Sequence, residues 1–156
     1  MKSNFDKFAE QLQEEILQDA RKHYSKTIID HWLHPRNLGR IDKPDGYGKI
    51  TGSCGDTMEF FLTVENNIIK KCNFLTDGCG TSIACGSIVT ELAKGKDINE
   101  AKKITQDVVL GTCGGLPPED EHCALLASNT LNQAIEKFEK TPILKEKKHL
   151  NWLRES

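Results

Sequence analysis

Thr57-Met58-Glu59-Phe60-Phe61-Leu62-Thr63-Val64-Glu65-Asn66-Asn67-Ile68-Ile69-Lys70-Lys71-Cys72-Asn73-Phe74-Leu75-Thr76 is the stretch from which the fold follows. Met58, Phe60, Leu62 and Val64 alternate with Glu59, Thr63 and Glu65, the period of a half-buried strand. Asn66-Asn67 then supplies a tight turn, because asparagine tolerates left-handed backbone. Ile68 to Thr76 returns as a second strand, with Cys72 in step with Ile68 and Phe74. A hairpin of this kind makes the sheet antiparallel. Lys49 to Ser53, just upstream, reads as a third strand running into a cysteine turn.

Helical periodicity flanks the hairpin. Over residues 4–33, Phe5, Phe8, Leu12, Ile16, Ala20, Tyr24, Ile28 and Trp32 recur at three- and four-residue steps, an amphipathic stripe that reads as one helix, or as two if the interruption of acidic character at Lys22-His23 divides it. His34-Pro35-Arg36-Asn37-Leu38-Gly39 ends it, since proline disfavours helix at the residue before it. A polar loop continues to about Tyr47. Downstream, Thr81 or Ser82 caps a helix carrying Ile83, Ala84, Ile88 and Leu92, ending near Gly95. Asp97 to Ile104 makes a short helix. Pro117-Pro118 with Glu119-Asp120-Glu121 starts a longer one, whose apolar face is Ala124, Ala127, Leu131, Ala134, Ile135 and Phe138. The expected fold is α+β: a three-stranded antiparallel sheet packed against several helices in one compact domain. Residues 1–22 read as a helical N-terminal extension, 23–140 as the domain and 141–156 as a basic tail with Lys145, Lys147, Lys148 and Arg154.

A chain of 156 residues with a formal charge of −2 gives no reason to expect nucleic acid as a partner. No stretch approaches the apolar length of a membrane span, and Met1-Lys2-Ser3-Asn4-Phe5-Asp6 has no apolar signal core. A cytoplasmic location is expected. In that reducing compartment six cysteines point to metal binding or reactive thiols rather than disulfides.

Three of the six stand apart. Cys54 lies in Ser53-Cys54-Gly55-Asp56, Cys79 in Gly78-Cys79-Gly80 and Cys123 in His122-Cys123. Adjacent glycines free the backbone and leave the first two sulfurs uncrowded. Asp56 and His122 add oxygen and nitrogen donors. Cys72 and Cys85 read as small core hydrophobes. Cys113, in Gly111-Thr112-Cys113-Gly114-Gly115, has a glycine setting like the chosen three but is read first as packing. Cys79 precedes one helix and Cys123 begins another, and a helix N-terminus lowers thiol pKa. The acids at 119–121 oppose that effect at Cys123. Three thiolates suit iron–sulfur clusters and zinc. A fourth, harder and more exchangeable ligand suits a cluster meant to leave.

From Tyr24 to about Phe138 the chain resembles the IscU/NifU-type scaffolds for iron–sulfur cluster assembly. The matching stretches are Ile29-Asp30-His31 with His34-Pro35-Arg36-Asn37-Leu38-Gly39, then Cys54-Gly55-Asp56. Phe74-Leu75-Thr76-Asp77-Gly78-Cys79-Gly80-Thr81-Ser82-Ile83-Ala84 follows, then Thr90-Glu91-Leu92 with Lys94-Gly95-Lys96, and finally Leu116-Pro117-Pro118 with His122-Cys123. The resemblance implies that Cys54, Cys79 and Cys123 hold a nascent 2Fe–2S or 4Fe–4S cluster and that Asp56 confers lability. It makes His122 an alternative metal ligand and Cys123 the acceptor of persulfide sulfur from a cysteine desulfurase. Such a protein has no turnover of its own. Its implied partners are the desulfurase, an iron donor or an electron donor such as a ferredoxin, and apo-protein recipients, with a homodimer among its states. Zinc is expected in an apo-like form. The competing reading uses the same ligands for a zinc-bearing sulfur acceptor that activates a desulfurase. A structural zinc domain is disfavoured by Asp56 and the glycine turns.

One departure stands out. The family commonly carries Leu-Pro-Pro-Val-Lys before its last His-Cys, the segment used by a dedicated Hsp70 chaperone. Here Glu119 and Asp120 replace the apolar residue and the cation. That exchange argues against an Hsp70 partner.

Overall fold

The computed structural model describes residues 3–141. Strands β1 (Gly46–Thr51), β2 (Thr57–Glu65) and β3 (Ile68–Thr76) form one antiparallel sheet in the order β1-β2-β3. Asn66 and Asn67 both take positive φ, 52° and 65°, which joins β2 to β3 by the two-residue turn their side chains permit. Met58, Phe60, Leu62 and Val64 are wholly buried, so the inward face is the expected one. A register shift at Thr63/Val64 changes the phase at the start of β3. Ile69, not Ile68, therefore points inward with Cys72 and Phe74.

Three boundaries differ from the sequence reading. β1 begins at Gly46 rather than Lys49, within what reads as loop, and stops at Thr51 before the cysteine turn. Its glycines are the reason. A Cβ at Gly48 would stand 2.5 Å from the Thr130 carbonyl oxygen and 2.8 Å from the Ala134 nitrogen. Bare backbone thus lets β1 lie directly on helix α6 (Glu121–Glu139). Gly48→Ala is expected to destabilise the fold by about 3 kcal/mol, because backbone on both sides has no room to yield. An unchanged denaturant midpoint would refute that packing argument.

Helix α3 (Gly80–Ala93) starts earlier than a Thr81 or Ser82 cap would place it; its N-cap is Cys79, without a side-chain cap bond. Past α4 (Ile98–Ala101), a further helix α5 (Gln106–Cys113) occupies a stretch where the sequence reading has no element. Cys113 is its last residue, fully buried, and its thiol donates to the Leu110 carbonyl at 3.4 Å. A short 3₁₀ turn, Pro118–Asp120, precedes α6. The predicted face of α6 is buried from Ala124 to Phe138.

Residues 4–33 divide into α1 (Asn4–His23) and α2 (Lys26–Leu33). The break is at Tyr24-Ser25, where Ser25 Oγ accepts from the Ile28 N–H at 3.1 Å to cap α2. The apolar stripe does not run through both. Phe5, Phe8, Leu12 and Ile16 are 76%, 64%, 47% and 51% exposed, and Ala20 is the one buried residue of α1. Periodicity correctly marks α1 as a helix, and its apolar stripe does not meet the core. The basic tail at 142–156 lies outside the described residues.

The Asp30 to Gly39 segment docks α2 and the following loop on α3 and β3. Ser87 Oγ contacts His31 Nδ1 at 2.7 Å and accepts from the Arg36 N–H at 2.9 Å. Arg36 pairs with Asp30 at 2.6 Å, and Asn37 donates to Thr90 and Glu91 at 3.1 Å each. The Gly39 N–H donates to the Phe74 carbonyl, and the Phe74 N–H to that of Asn37. Burial, aided by Arg36, holds the His31 pKa below its ordinary value, so the ring is held neutral beside Ser87. These residues fasten the middle and later turns of α3 to α2 and the loop that follows it.

Candidate metal centre

The β1–β2 turn, the N-terminus of α3 and the first turn of α6 converge at one end of the sheet. Cys54 lies in the first. Gly55 takes φ +91°, a conformation glycine adopts without penalty, and the turn leaves the Cys54 thiol exposed. Asp56 follows, half-buried. Cys79, exposed, begins α3. Its placement is fixed from α2, where the Trp32 ring lies so close that a Cβ on Gly80 would come within 2.5 Å of it. Trp32, Tyr24, Cys79, Thr81 and Asp120 are among the residues lining a cleft of about 190 Å³ here.

Cys123 is placed differently from the sequence expectation. It is 1% exposed and lies within the first turn of α6. Burial pushes its thiol up to about 11, with the charges of Cys79, Asp120 and Cys54 acting in the same direction. The helix start does not make it a ready thiolate, because desolvation of the charged form dominates. Its partners are Ser82 Oγ at 3.4 Å and His122 Nε2 at 3.7 Å. Ser82 Oγ also donates to Asp56 Oδ2 at 3.0 Å. One buried hydroxyl thus links the carboxylate of the first cysteine turn to the thiol of the last. Cys85 is fully buried behind this group, its thiol held up by burial and by the neighbouring Cys123, Cys113 and Cys79. Cys72 is core, as read.

Among the described residues, no three His, Cys, Asp or Glu side chains stand close enough to hold a single metal ion. The expected donors therefore gather at one end of the sheet without closing on a common point. Two of the three thiols face solvent on turns, while the third is fixed in a helix.

Two residues of the site carry contacts that the sequence reading does not assign to them. Ser82 lies three residues past Cys79, almost one helical turn; a helix begun at Cys79 instead of capped at Ser82 puts both on neighbouring faces. Asp120 accepts from the Tyr24 hydroxyl at 2.5 Å, tying the α1–α2 junction to the start of α6. That bond is the main reason the Tyr24 pKa is raised.

Labelling with a maleimide at neutral pH should separate the six cysteines into two classes. Cys54 and Cys79 are expected to react completely before a few per cent of Cys72, Cys85, Cys113 or Cys123 is modified. Peptide mapping that finds Cys123 among the fast thiols would contradict its burial.

With this geometry, the comparisons with known proteins are consistent. The model of the NifU-like N-terminal domain family matches residues 23–145. The iron–sulfur cluster assembly scaffold protein IscU 1 of Archaeoglobus fulgidus is 45% identical over 113 residues, 72% of this chain and 74% of that protein. The scaffold protein IscU of Aquifex aeolicus is 40% identical over 118 residues, 74% and 75% of the two chains. A NifU-like N-terminal structure from Brucella abortus superposes with a TM-score of 0.60 at 17% identity, covering 75% of this chain and 94% of that one; it supports the fold alone. The chain belongs to the NifU-like N-terminal domain family. Helix α1 lies almost wholly outside the matched residues. No helix among the described residues is long and apolar enough to cross a membrane.

Proposed function

We propose that this protein is a scaffold on which an iron–sulfur cluster is assembled and from which it is passed to apo-proteins. The observation that carries the reading is the convergence of Cys54, Cys79 and Cys123 with Asp56 at one end of the sheet, two thiols on solvent-facing turns and the carboxylate hydrogen-bonded to the hydroxyl that contacts the third. Structural zinc sites are closed on four ligands. This set is open, which suits a cargo that must enter and leave.

In this reading Cys54, Cys79 and Cys123 bind iron as thiolates, Asp56 is the exchangeable oxygen ligand and His122 an alternative ligand. Cys123 is the sulfur acceptor. Its thiolate attacks the outer sulfur of a persulfide on a cysteine desulfurase; a new S–S bond forms at Cys123. The donor's S–S bond breaks, and the donor cysteine leaves with the electron pair and takes up a proton. Because Cys123 is buried, docking of the donor must first expose it. The partners are accordingly the desulfurase, a source of iron and electrons, and recipient apo-proteins. The protein itself has no turnover.

Anaerobic reconstitution with ferrous iron and sulfide tests the assignment. The unchanged protein is expected to develop the visible absorption of a protein-bound cluster. Cys54→Ser, Cys79→Ser and Cys123→Ser should each remove most of it, while Cys72→Ser and Cys85→Ala leave it in whatever fraction remains folded. A stable zinc-loaded product that takes up no iron or sulfide would favour a zinc-bearing activator of the desulfurase instead.

A further inference from the structure

We propose that the C-terminal segment 142–156 covers the exposed apolar stripe of α1 in the same chain. Phe5, Phe8, Leu12 and Ile16 lie along one side of that helix and are all exposed, while Ala20 is its one buried residue. A helix draws most of its stability from packing such a face, so α1 is left with an unused packing surface. The surroundings of the stripe are acidic. Between Asn4 and Asp19 five carboxylates, those of Asp6, Glu10, Glu14, Glu15 and Asp19, accompany the single cation Lys7. Glu15 and Asp19, three residues past Leu12 and Ile16, border the stripe directly.

Such a face calls for an apolar and basic occupant. Residues 142–156 carry Ile143, Leu144, Leu150, Trp152 and Leu153, with Lys145, Lys147, Lys148 and Arg154 against Glu146 and Glu155. Nearly all of α1 lies before the span that the family model matches, and residues 146–156 lie beyond it. The two additions are thus complementary in charge and alike in exposing apolar side chains to be covered. A second copy of α1 fits less well: the acidic stretch fills most of the helix, so two of them repel in either orientation. The tail is also long enough. Helix α6 begins beside Tyr24, whose hydroxyl donates to Asp120, and its 19 residues run about 28 Å. Ile16 lies about 12 Å along α1 from Tyr24. Extended chain from Thr141 to Leu153 spans about 40 Å, as much as those two lengths laid end to end. Any angle between the helices shortens the path.

Hydrogen exchange of the α1 amides in the full chain, read by mass spectrometry, tests this. Residues 5–19 of the unchanged protein are expected to exchange about tenfold more slowly than in a variant carrying Leu150→Ser, Trp152→Ser and Leu153→Ser, with the sheet and α6 exchanging alike in both. Glu15→Lys with Asp19→Lys, and separately Lys147→Glu with Lys148→Glu, should each lose most of that protection. All four changes together should recover most of it, because opposite charges meet again. Protection should be the same over about a hundredfold range of protein concentration, as a contact within one chain requires. Equal exchange in the unchanged chain and the serine variant would overturn the proposal, and so would a combined charge variant that recovers nothing. Protection that grows with concentration would also overturn it and would assign the stripe to a second copy. Circular dichroism checks that the lysine substitutions leave α1 helical. Should they not, the serine and glutamate variants of the tail decide, and α1 protection that survives both overturns the docking.

Discussion

Asp56→Ala is expected to prolong the life of a reconstituted cluster about tenfold and to slow its transfer by a similar factor, the equivalent of about 1.4 kcal/mol on the barrier. The three thiolates remain, and they are the soft ligands iron–sulfur clusters prefer. What is lost is the hard, exchangeable oxygen and the path by which solvent or an incoming thiol reaches the metal. Absorbance decay under air or a chelator gives the lifetime, and transfer to an apo-ferredoxin gives the rate. Faster cluster loss in the variant would contradict the role given to the carboxylate.

The segment Gly115 to His122 should bind an IscU-type Hsp70 at least about tenfold more weakly than the same peptide carrying Glu119→Val and Asp120→Lys. A groove suited to an apolar residue and a lysine rejects adjacent carboxylates, because an unpaired charge has to be desolvated on the wrong partner. Peptides titrated at moderate salt measure this directly. In the folded protein Asp120 has a second engagement, accepting from the Tyr24 hydroxyl at 2.5 Å. The lysine variant of the whole chain is therefore expected to loosen the α1–α2 junction as well. Equal or tighter binding of the native peptide would show that two anions do not exclude such a chaperone.

The hairpin was legible because its physics is local: period-two burial and two asparagines at positive φ need no knowledge of the rest of the chain. β1 was half hidden, since Gly46 and Gly48 present no side chains to alternate and matter only through the α6 backbone they touch. Helix α5 escaped notice because glycine-bounded sequence at its C-terminal end resembles a loop, and Cys113 there resembles a ligand. Periodicity announced α1 as amphipathic, but nothing in a single helix says whether its apolar face meets a core; here Phe5 and Phe8 remain exposed.

The candidate site divides along the same line. Cys54 and Cys79 stand out through their glycine neighbours, and the structure leaves both exposed as that setting implies. Cys123 stands out through His122, yet its burial comes from packing beneath α3, which no local motif encodes. Ser82 was invisible as a participant because its meaning lies in two contacts, to residues 26 and 41 positions away.

The most direct test of the central claim is anaerobic reconstitution of the folded, metal-free protein with ferrous iron and sulfide, followed by visible absorption and analysis of bound iron and sulfide. Matched iron and sulfide with cluster absorption, lost on replacing Cys54, Cys79 and Cys123 together by serine, is the result expected of a scaffold. Protein that stays colourless, or that keeps its cluster without those three thiols, would contradict it.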